Sequence, residues 1–391
     1  MSGQSGRDDF HFSPTGVIFA QNSIRMRKLF RHLLLPAALV SAACSNEFTD
    51  AVDALCKETF PSDGPGAAVL IMKGDKVVYE NGFGLADMQT KDPITPDTFF
   101  NLASVSKQFT ASALLQLQEA GKIRIDDKVK DYFPQFTAPV WDDITIGNFL
   151  SHSSGLPVDQ YRRTLFTHQE RVEMTDSAAV IAFDTIDTLS FAPGTGYQYE
   201  NATYTLMGKL IENVSGEAFA DYMRRHVFDK AGMARTMYFE PGKENLIPMM
   251  SHGYELEEGR WQECDWGEET CFGTRPDGGL YSSVREFAQW ERALRECSVI
   301  SEESRELAQS PKIPAKAGES YVPGSRMSYC YGWLTGASSK GERVIYHFGG
   351  NGGFRTAALR YPESGTFIVV LSNQPEWDRP AFLCALENIV L

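Results

Sequence analysis

The chain has 391 residues, of which 42% are hydrophobic and 23% are charged, and its formal net charge is −14. These values are typical of a globular protein with a full core, and they exclude an intrinsically disordered chain, a coiled coil and a collagen-like fibre. The acidic balance repels phosphate backbones and no basic patch offsets it, so we predict no nucleic-acid partner. The seven cysteines show neither Cys-x-x-Cys spacing nor a Cys/His cluster, so no structural metal is predicted.

Residues 1–43 are predicted to be an export signal with an upstream extension. A basic cluster at residues 27–31 precedes an apolar run at residues 33–40, and small residues follow. This order is typical of a bacterial signal peptide, and the run is too short to span a bilayer permanently. Two cleavage patterns fit: a lipoprotein site that leaves Cys44 first, and ordinary signal-peptidase cleavage near Ala42 or Ala43.

Export sets the predicted location. Since a complete signal begins at Met26, we take that residue as the hypothetical start. The mature protein is then expected to be periplasmic, lipid-anchored or secreted, and a lipidated Cys44 is its one predicted membrane attachment. Disulfides are allowed in these compartments.

The mature chain combines strand and helix patterns. In chain order the predicted elements are a helix at 47–60, strands at 67–72 and 76–80, helices at 104–120 and 284–296, strands at 329–335, 343–347, 355–361 and 366–371, and a closing helix at 379–391. The region between the second helix and residue 270 is helical and irregular. The predicted fold class is α/β of the α+β type: an antiparallel sheet flanked by N- and C-terminal helices, with a mainly helical inserted domain.

Domain boundaries and one disulfide follow from this arrangement. We predict a sheet domain at 44–130 plus 275–391 and an insert at 131–274. If both strand groups share one sheet, the first and last helices pack on one face of it, and Cys56 and Cys384 are then predicted to pair. Proximity alone favours a second pair, Cys264 with Cys271.

Ser104-Val105-Ser106-Lys107 is the chain's single Ser-x-x-Lys. Because residues i and i+3 share a helix face, Lys107 can reach the Ser104 hydroxyl, and the helix N-terminus stabilises negative charge there. A partly desolvated lysine can lose its proton and activate the hydroxyl. The alternative is a serine N-cap beside a surface lysine.

Two further motifs carry candidate site residues. In Tyr199-Glu200-Asn201 a phenol near an ammonium can relay protons and an amide can hold a substrate, whereas Tyr79-Glu80-Asn81 has the same letters in a hairpin. His347-Phe348-Gly349-Gly350 ends a strand and enters a Gly-rich turn, where a backbone N–H can approach a ligand. The rival Lys316-Ala317-Gly318 follows no strand.

These three motifs in this order resemble the penicillin-recognising serine hydrolases, a superfamily related to the motif set of class A β-lactamases. The tyrosine version is similar to class C β-lactamases, D-alanyl-D-alanine carboxypeptidases of the His-x-Gly type, D-aminopeptidases and related esterases. The resemblance extends from about residue 48 to the C-terminus. Supporting segments are residues 99–107, 150–156, 191–216 and 278–284.

The resemblance implies a β-lactamase/transpeptidase-like fold and an acyl-enzyme cycle without a metal or organic cofactor. Ser104 is the implied nucleophile, and Lys107 and Tyr199 are the implied proton-handling pair, with the choice of base left open. Asn201 is implied to orient the substrate, and the backbone N–H groups of Ser104 and Gly350 to form the oxyanion hole.

Two departures from the β-lactamase pattern narrow the class of substrate that we expect. His347 stands where most β-lactamases carry Lys, and Phe348 where they carry Thr or Ser, so we do not expect efficient β-lactamase activity. His347 and Gly349 are expected to contact substrate, and Arg355 is a weaker candidate for the lost charge. His347 is also a catalytic candidate, because an imidazole can recognise a carboxylate or shuttle a proton. His152 is interpreted as part of a structural loop.

The sequence therefore predicts a serine hydrolase for a small ester or amide substrate. One alternative is a D-alanyl-D-alanine carboxypeptidase or D-amino-acid peptidase that acts on cell-wall peptides. The other is a non-catalytic scaffold that keeps the fold for ligand binding.

Overall fold

The computed structural model describes residues 47–165, 167, 170, 175–240, 244–264, 274–316 and 320–391. The chain divides into two compact units, Met1–Val52 and Asp53–Leu391. Within the first unit the described residues, 47–52, are helical. The predicted export signal and Cys44 lie outside the described residues.

Antiparallel strands form the frame of the second unit. In chain order the strands are β1 (Ala67–Lys73), β2 (Lys76–Phe83), β3 (Leu85–Asp87), β4 (Asp92–Pro93), β5 (Phe100–Asn101), β6 (Met237–Tyr238), β7 (Tyr254–Glu257), β8 (Arg260–Glu263), β9 (Leu280–Ser282), β10 (Ile313–Pro314), β11 (Met327–Tyr329), β12 (Leu334–Ala337), β13 (Arg343–Asn351), β14 (Phe354–Tyr361) and β15 (Thr366–Ser372). The main sheet of the described residues has eight strands in the order β10-β11-β12-β13-β14-β15-β1-β2.

One pairing joins the two ends of the second unit. Strand β1 lies antiparallel to β15, from the pair Ala67 and Ser372 to the pair Lys73 and Thr366. Both strands are almost completely buried, as expected of central strands covered on both faces. The early hairpin and the late strands therefore belong to a single sheet, and the predicted fold class is confirmed.

Helices cover the sheet and build the part of the chain between β5 and β9. They are α1 (Lys107–Glu119), α2 (Ile146–Leu150), α3 (Val158–Leu165), α4 (Asp176–Ala179), α5 (Asn201–Ser215), α6 (Phe219–Tyr222), α7 (Asp229–Ala231), α8 (Val284–Glu296), α9 (Glu302–Gln309) and α10 (Arg379–Val390). Shorter turns of 3-10 helix lie at Ala103–Ser106, Val129–Asp131, Pro139–Trp141, Ile181–Thr185 and Glu244–Leu246, and a π-helical segment at Met223–Phe228. Residues 53–59 are also helical.

Helix α1 is the central helix of the core. Every residue from Lys107 to Leu117 is buried, as in a helix enclosed on all sides. It packs against α5, α9 and the π-helical segment, and Trp290 Nε1 donates a hydrogen bond of 2.7 Å to Gln108 Oε1. Since the core surrounds this helix, its N-terminus is held rigidly where it meets the sheet.

Most predicted elements are present, and one is wrong. The helix at 284–296 and the strands at 355–361 and 366–371 agree with α8, β14 and β15 within one residue. The single strand predicted at 329–335 is instead the end of β11, a turn and the start of β12. Gly332 has a φ of 81° and Cys330 N–H donates to Trp333 O at 2.7 Å, so the backbone reverses there.

The predicted Cys56–Cys384 disulfide is also wrong, because both cysteines are free. The packing that motivated it is present: Phe60 contacts Phe382 of α10 with ring centroids 5.6 Å apart. Cys384 is two residues further along α10 and therefore points to another side, where its Sγ lies 4.0 Å from Tyr321 O. For the second pair, Cys264 is free and Cys271 lies outside the described residues.

Two further points concern the whole chain. The division into a sheet domain and a helical insert, at the boundaries given above, stays a prediction. Among the described residues, none of the helices has both the length and the apolar character needed to cross a membrane.

Candidate active site

Ser104 lies in the 3-10 turn that leads into α1. The preceding Ala103 has a φ of 47°, a left-handed conformation that costs free energy for a residue with a Cβ. Its N–H donates to Asn101 Oδ1 at 2.7 Å, and both groups are buried. Backbone strain of this kind is concentrated at functional sites, and here it immediately precedes the predicted nucleophile.

Lys107 is completely buried, and its ammonium group uses three acceptors. The Nζ atom lies 3.1 Å from Ser104 Oγ, 2.7 Å from Asn201 Oδ1 and 2.8 Å from the carbonyl oxygen of Asp277. Burial lowers the pKa of Lys107 to about 8, although Asp277 and Asp159 oppose the shift. A lysine with this pKa is partly neutral near pH 7 and can accept the Ser104 proton.

Tyr199 places its hydroxyl at the same point. Its Oη is buried and makes no hydrogen bond within the described part of the chain, and its ring centroid lies 5.0 Å from Lys107 Nζ. Burial raises the pKa of Tyr199 well above the usual value, and the nearby Ser104 hydroxyl opposes this shift without a hydrogen bond of normal geometry. The side chain is therefore a neutral phenol that can pass a proton on.

Asn201 is held at the first position of α5. Its backbone N–H donates to Asp159 Oδ2 at 2.7 Å, and Asp159 N–H in turn donates to Glu200 Oε2 at 2.6 Å. A carboxylate at a helix N-terminus satisfies an otherwise unpaired N–H and is favoured by the helix dipole. This anchor keeps Asn201 Oδ1 on Lys107.

His152 supports the tyrosine. It has a φ of 54°, its Nδ1 accepts the Glu200 N–H at 3.2 Å, and its ring lies 4.2 Å from the Tyr199 ring. Burial lowers the pKa of His152 well below the usual value, so the ring is neutral. The interpretation of His152 as part of a structural loop agrees with these contacts.

His347 is a neutral ring with a defined tautomer. Its Nδ1 lies 2.7 Å from Phe348 O, and because a carbonyl only accepts, Nδ1 carries the hydrogen. Nε2 is then the acceptor for the Tyr329 hydroxyl at 2.9 Å. Burial and the Lys107 charge lower the pKa of His347 to about 3. The site therefore has no cation at this position, and the catalytic role of His347 stays a prediction.

Gly349 lets β13 approach the nucleophile turn. A Cβ at this position would overlap Leu102 O and Thr356 Oγ1, whereas a Cβ at Gly350 would meet no atom within 4 Å. Thr356 Oγ1 donates to Leu102 O at 2.9 Å and closes the same contact. Gly349 is thus a packing requirement as well as part of the cleft wall, and Gly350 is exposed beside it.

Two arginines, Arg355 and Arg379, also line the cleft. Arg355 donates to the carbonyl oxygens of Pro375 and Trp377. The Arg379 guanidinium lies 4.1 Å from the Phe348 ring centroid, its Nη1 donates to Gly349 O at 3.1 Å, and its buried Nε has no partner among the described residues. Burial and the Arg355 charge lower the pKa of Arg379 to about 9.

These side chains line one cleft of about 570 Å³. Its walls are Ser104, Tyr197, Tyr199, Met327, Tyr329, Leu334, His347, Phe348, Gly349, Gly350, Arg355 and Arg379. Lys107 and Asn201 lie behind Ser104, so the structure brings together every site residue predicted from the sequence. No group of His, Cys, Asp or Glu side chains in the described residues is arranged to hold a metal ion.

Sequence reasoning missed two residues of this site, Tyr329 and Arg379, and one contact, that of His152 with Tyr199. The roles of Tyr329 and Arg379 arise from strands and a helix that meet only in the folded chain, and no motif contains either residue. His152 was noticed, but its contact with Tyr199 was not predicted. Tyr79, which belongs to the other Tyr-Glu-Asn sequence, lies in β2. Its hydroxyl donates to Asp53 Oδ1 at 2.6 Å, which explains its presence without a catalytic role.

Comparison with known proteins identifies the family. A family model described as Beta-lactamase matches residues 57–388. The chain therefore belongs to the β-lactamase family, which the relatives below connect to penicillin-binding proteins.

Two relatives show how far the similarity extends. The chain is 30% identical over 334 residues to Penicillin-binding protein 4* of Bacillus subtilis (strain 168). This alignment covers 82% of this chain and 71% of that protein. It is 27% identical over 317 residues to Protein flp of Staphylococcus aureus (strain MW2), which covers 79% of this chain and 59% of that protein. The chain thus spans little more than half of the second relative.

Solved structures share the fold. The octameric penicillin-binding protein homologue from Pyrococcus abyssi superimposes with a TM-score of 0.75 at 26% identity, over 88% of this chain and 76% of that one. EstCE1 superimposes with a TM-score of 0.73 at 18% identity, over 88% of this chain and 99% of that one. At 18% identity, the likeness to EstCE1 shows the fold alone.

The two glycines of β13 give a matched pair of substitutions. We expect Gly349→Ala to lower the free energy of unfolding by about 1–3 kcal/mol, because its Cβ overlaps backbone that cannot move freely. Gly350→Ala is expected to change it by less than about 0.5 kcal/mol. Urea denaturation of both variants measures the difference, and equal stabilities would contradict the close approach described here.

Proposed function

We propose that this protein is a serine hydrolase that transfers the acyl group of an ester or amide to water through an acyl-Ser104 intermediate. The observation that carries the proposal is the contact of 3.1 Å between Lys107 Nζ and Ser104 Oγ, made by a lysine whose burial lowers its pKa to about 8. A surface lysine beside an N-cap serine, the alternative reading of the motif, would remain charged and solvated.

The contacts support the following steps for the proposed cycle. Neutral Lys107 takes the Ser104 proton as Oγ attacks the carbonyl carbon, and Asn201 Oδ1 holds the resulting ammonium. Tyr199, whose hydroxyl is unengaged in the described structure, then carries a proton to the leaving group. We assign the oxyanion to the backbone N–H groups of Ser104 and Gly350. Water attacks the acyl-enzyme in the second half of the cycle.

Two comparisons support acyl chemistry of this kind. Penicillin-binding protein 4* is a relative by sequence, and EstCE1, described as a hydrolase with promiscuous acyltransferase activity, shares the fold. A neutral His347 without a fixed cation argues for an uncharged ester or amide over a β-lactam carboxylate. We also propose export through residues 1–43 as the route to the substrate.

A second candidate function rests on the arginines. Arg379 and Arg355 lie in the same cleft as Ser104, and Arg379 Nε has no partner among the described residues. A guanidinium binds a carboxylate with paired hydrogen bonds. A peptide with a free C-terminal carboxylate, such as one ending in D-Ala-D-Ala, would suit these two arginines. Carboxypeptidase activity is therefore the alternative to esterase activity, and a non-catalytic scaffold is the outcome if neither occurs.

Loss of the nucleophile should abolish turnover. We expect Ser104→Ala to reduce hydrolysis of p-nitrophenyl butyrate by about 10⁴-fold or more, because no acyl-enzyme can form. Ser106→Ala is the matched control: the Ser106 hydroxyl is buried and has no hydrogen-bond partner in the described part of the chain, so activity should be retained. Turnover that persists in Ser104→Ala would refute the mechanism.

The pH dependence should follow Lys107. Its pKa is lowered, so the neutral base accumulates as the pH rises, and kcat/KM for a non-ionisable ester should increase about tenfold per pH unit below pH 8 and then level off. The measurement is a kcat/KM profile between pH 6 and pH 9.5 at constant ionic strength. A flat profile across pH 8 would exclude neutral Lys107 as the base.

Arg379 separates the two candidate functions. If the substrate carries a carboxylate, Arg379→Gln should raise KM for release of D-alanine from an acylated D-Ala-D-Ala peptide by about tenfold or more, while hydrolysis of p-nitrophenyl butyrate changes little. Both assays are run on the same preparations. Equal losses on the two substrates would indicate that Arg379 supports the cleft and does not recognise a carboxylate.

A further inference from the structure

A second cavity, of about 220 Å³, lies apart from the active-site cleft and shares none of its lining residues. Its walls come from α8, α9 and the strands β13, β14 and β15. We call it the arginine pocket after its four guanidinium side chains, Arg295, Arg305, Arg343 and Arg360. In a protein with a net charge of −14, such a local concentration of positive charge needs an explanation.

Carboxylates of the protein neutralise only part of that charge. Glu291 is 1% exposed, and its two oxygens are used by Arg295 Nε at 2.6 Å and Arg360 Nε at 2.7 Å. The other glutamate of the pocket, Glu306, is 61% exposed and lies 3.5 Å from Arg305. Arg343 forms no ion pair with a side chain of the described residues. Arg305 also lies 3.0 Å from Glu302, which is 77% exposed, so the four guanidinium groups face three carboxylates, two of which are mostly in solvent.

The pocket also has hydrogen-bond donors in excess of acceptors. Gln309 is 1% exposed and lines the cavity; its Oε1 accepts from Arg360 Nη1 at 2.9 Å, while its buried Nε2 has no partner among the described residues. Turning the amide over would place two donors against each other, so this orientation is the favourable one. The main-chain oxygen of Gln309 already accepts from Arg343 Nη2 at 3.0 Å.

We propose that the arginine pocket binds a small dianionic oxyanion, either inorganic phosphate or the phosphoryl group of a small phosphomonoester. Guanidinium groups bind phosphate oxygens with paired, charge-assisted hydrogen bonds. A dianion compensates the charge of Arg343, which has no carboxylate partner among the described residues, and that of Arg305, whose two carboxylate partners are mostly in solvent. Its oxygens also supply an acceptor for the buried Gln309 Nε2, which has no partner among the described residues. The small volume excludes larger phosphorylated ligands.

Thermal unfolding of the full chain tests the proposal. The wild type is titrated with sodium phosphate, and in parallel with glycerol 2-phosphate, against sodium chloride at matched ionic strength. We expect a saturable rise in Tm with at least one of the two phosphates and none with chloride. The phosphate that raises Tm at the lower concentration identifies the preferred source. The absence of a saturable rise with both would overturn the proposal.

Variants locate the effect. Arg343→Gln removes a guanidinium outside the buried ion pairs and should weaken phosphate binding at least tenfold. Gln309→Glu places a carboxylate against Arg360 and should remove the rise in Tm with phosphate. This second variant tests the proposal even if Arg343→Gln fails to fold. Arg379→Gln is the matched control, because it removes an arginine from the active-site cleft and should keep the response. A phosphate response retained by Gln309→Glu, or lost in Arg379→Gln alone, would contradict binding in the arginine pocket.

Discussion

The complete burial of Lys107 is the constraint on which the site depends. A buried ammonium is costly unless each of its hydrogens has an acceptor, and here the acceptors come from three parts of the chain: Ser104, Asn201 and the carbonyl oxygen of Asp277. The same desolvation that makes these acceptors necessary also lowers the pKa of Lys107 to about 8. The desolvation of Lys107 is therefore the physical origin both of its need for three acceptors and of its lowered pKa.

This requirement explains several features around the lysine. Asn201 must be presented at the start of α5, and the carboxylate of Asp159 holds it there. The turn that carries Ser104 must meet β13 closely, and the absence of a side chain at Gly349 allows it. The strained Ala103 is tolerated because the surrounding sheet and α1 leave the backbone no alternative path.

The arginine pocket differs from the site around Lys107 in how its polar and charged groups are paired. The Lys107 ammonium has three acceptors, whereas the buried Gln309 Nε2 has no partner among the described residues and Arg343 has no carboxylate partner among them. Buried polar groups in folded proteins are nearly always paired. The ligands that we propose for the two sites differ accordingly: a reactive carbonyl group for the cleft, and a negatively charged group for the arginine pocket.

Local pattern was sufficient for much of the fold. The α8 segment and the strands β14 and β15 were predicted correctly because periodicity and turn residues act over a few positions. The three motifs meet in the folded chain, and the catalytic roles of their residues stay predictions. The turn at Gly332 was missed because an apolar run continues through it. The pKa of Lys107, the tautomer of His347, the contribution of Arg379 and the free state of Cys56 and Cys384 were decided only by the tertiary structure. Each of these properties depends on burial or on contacts between residues that are distant in the chain. Local spacing encodes neither burial nor such contacts.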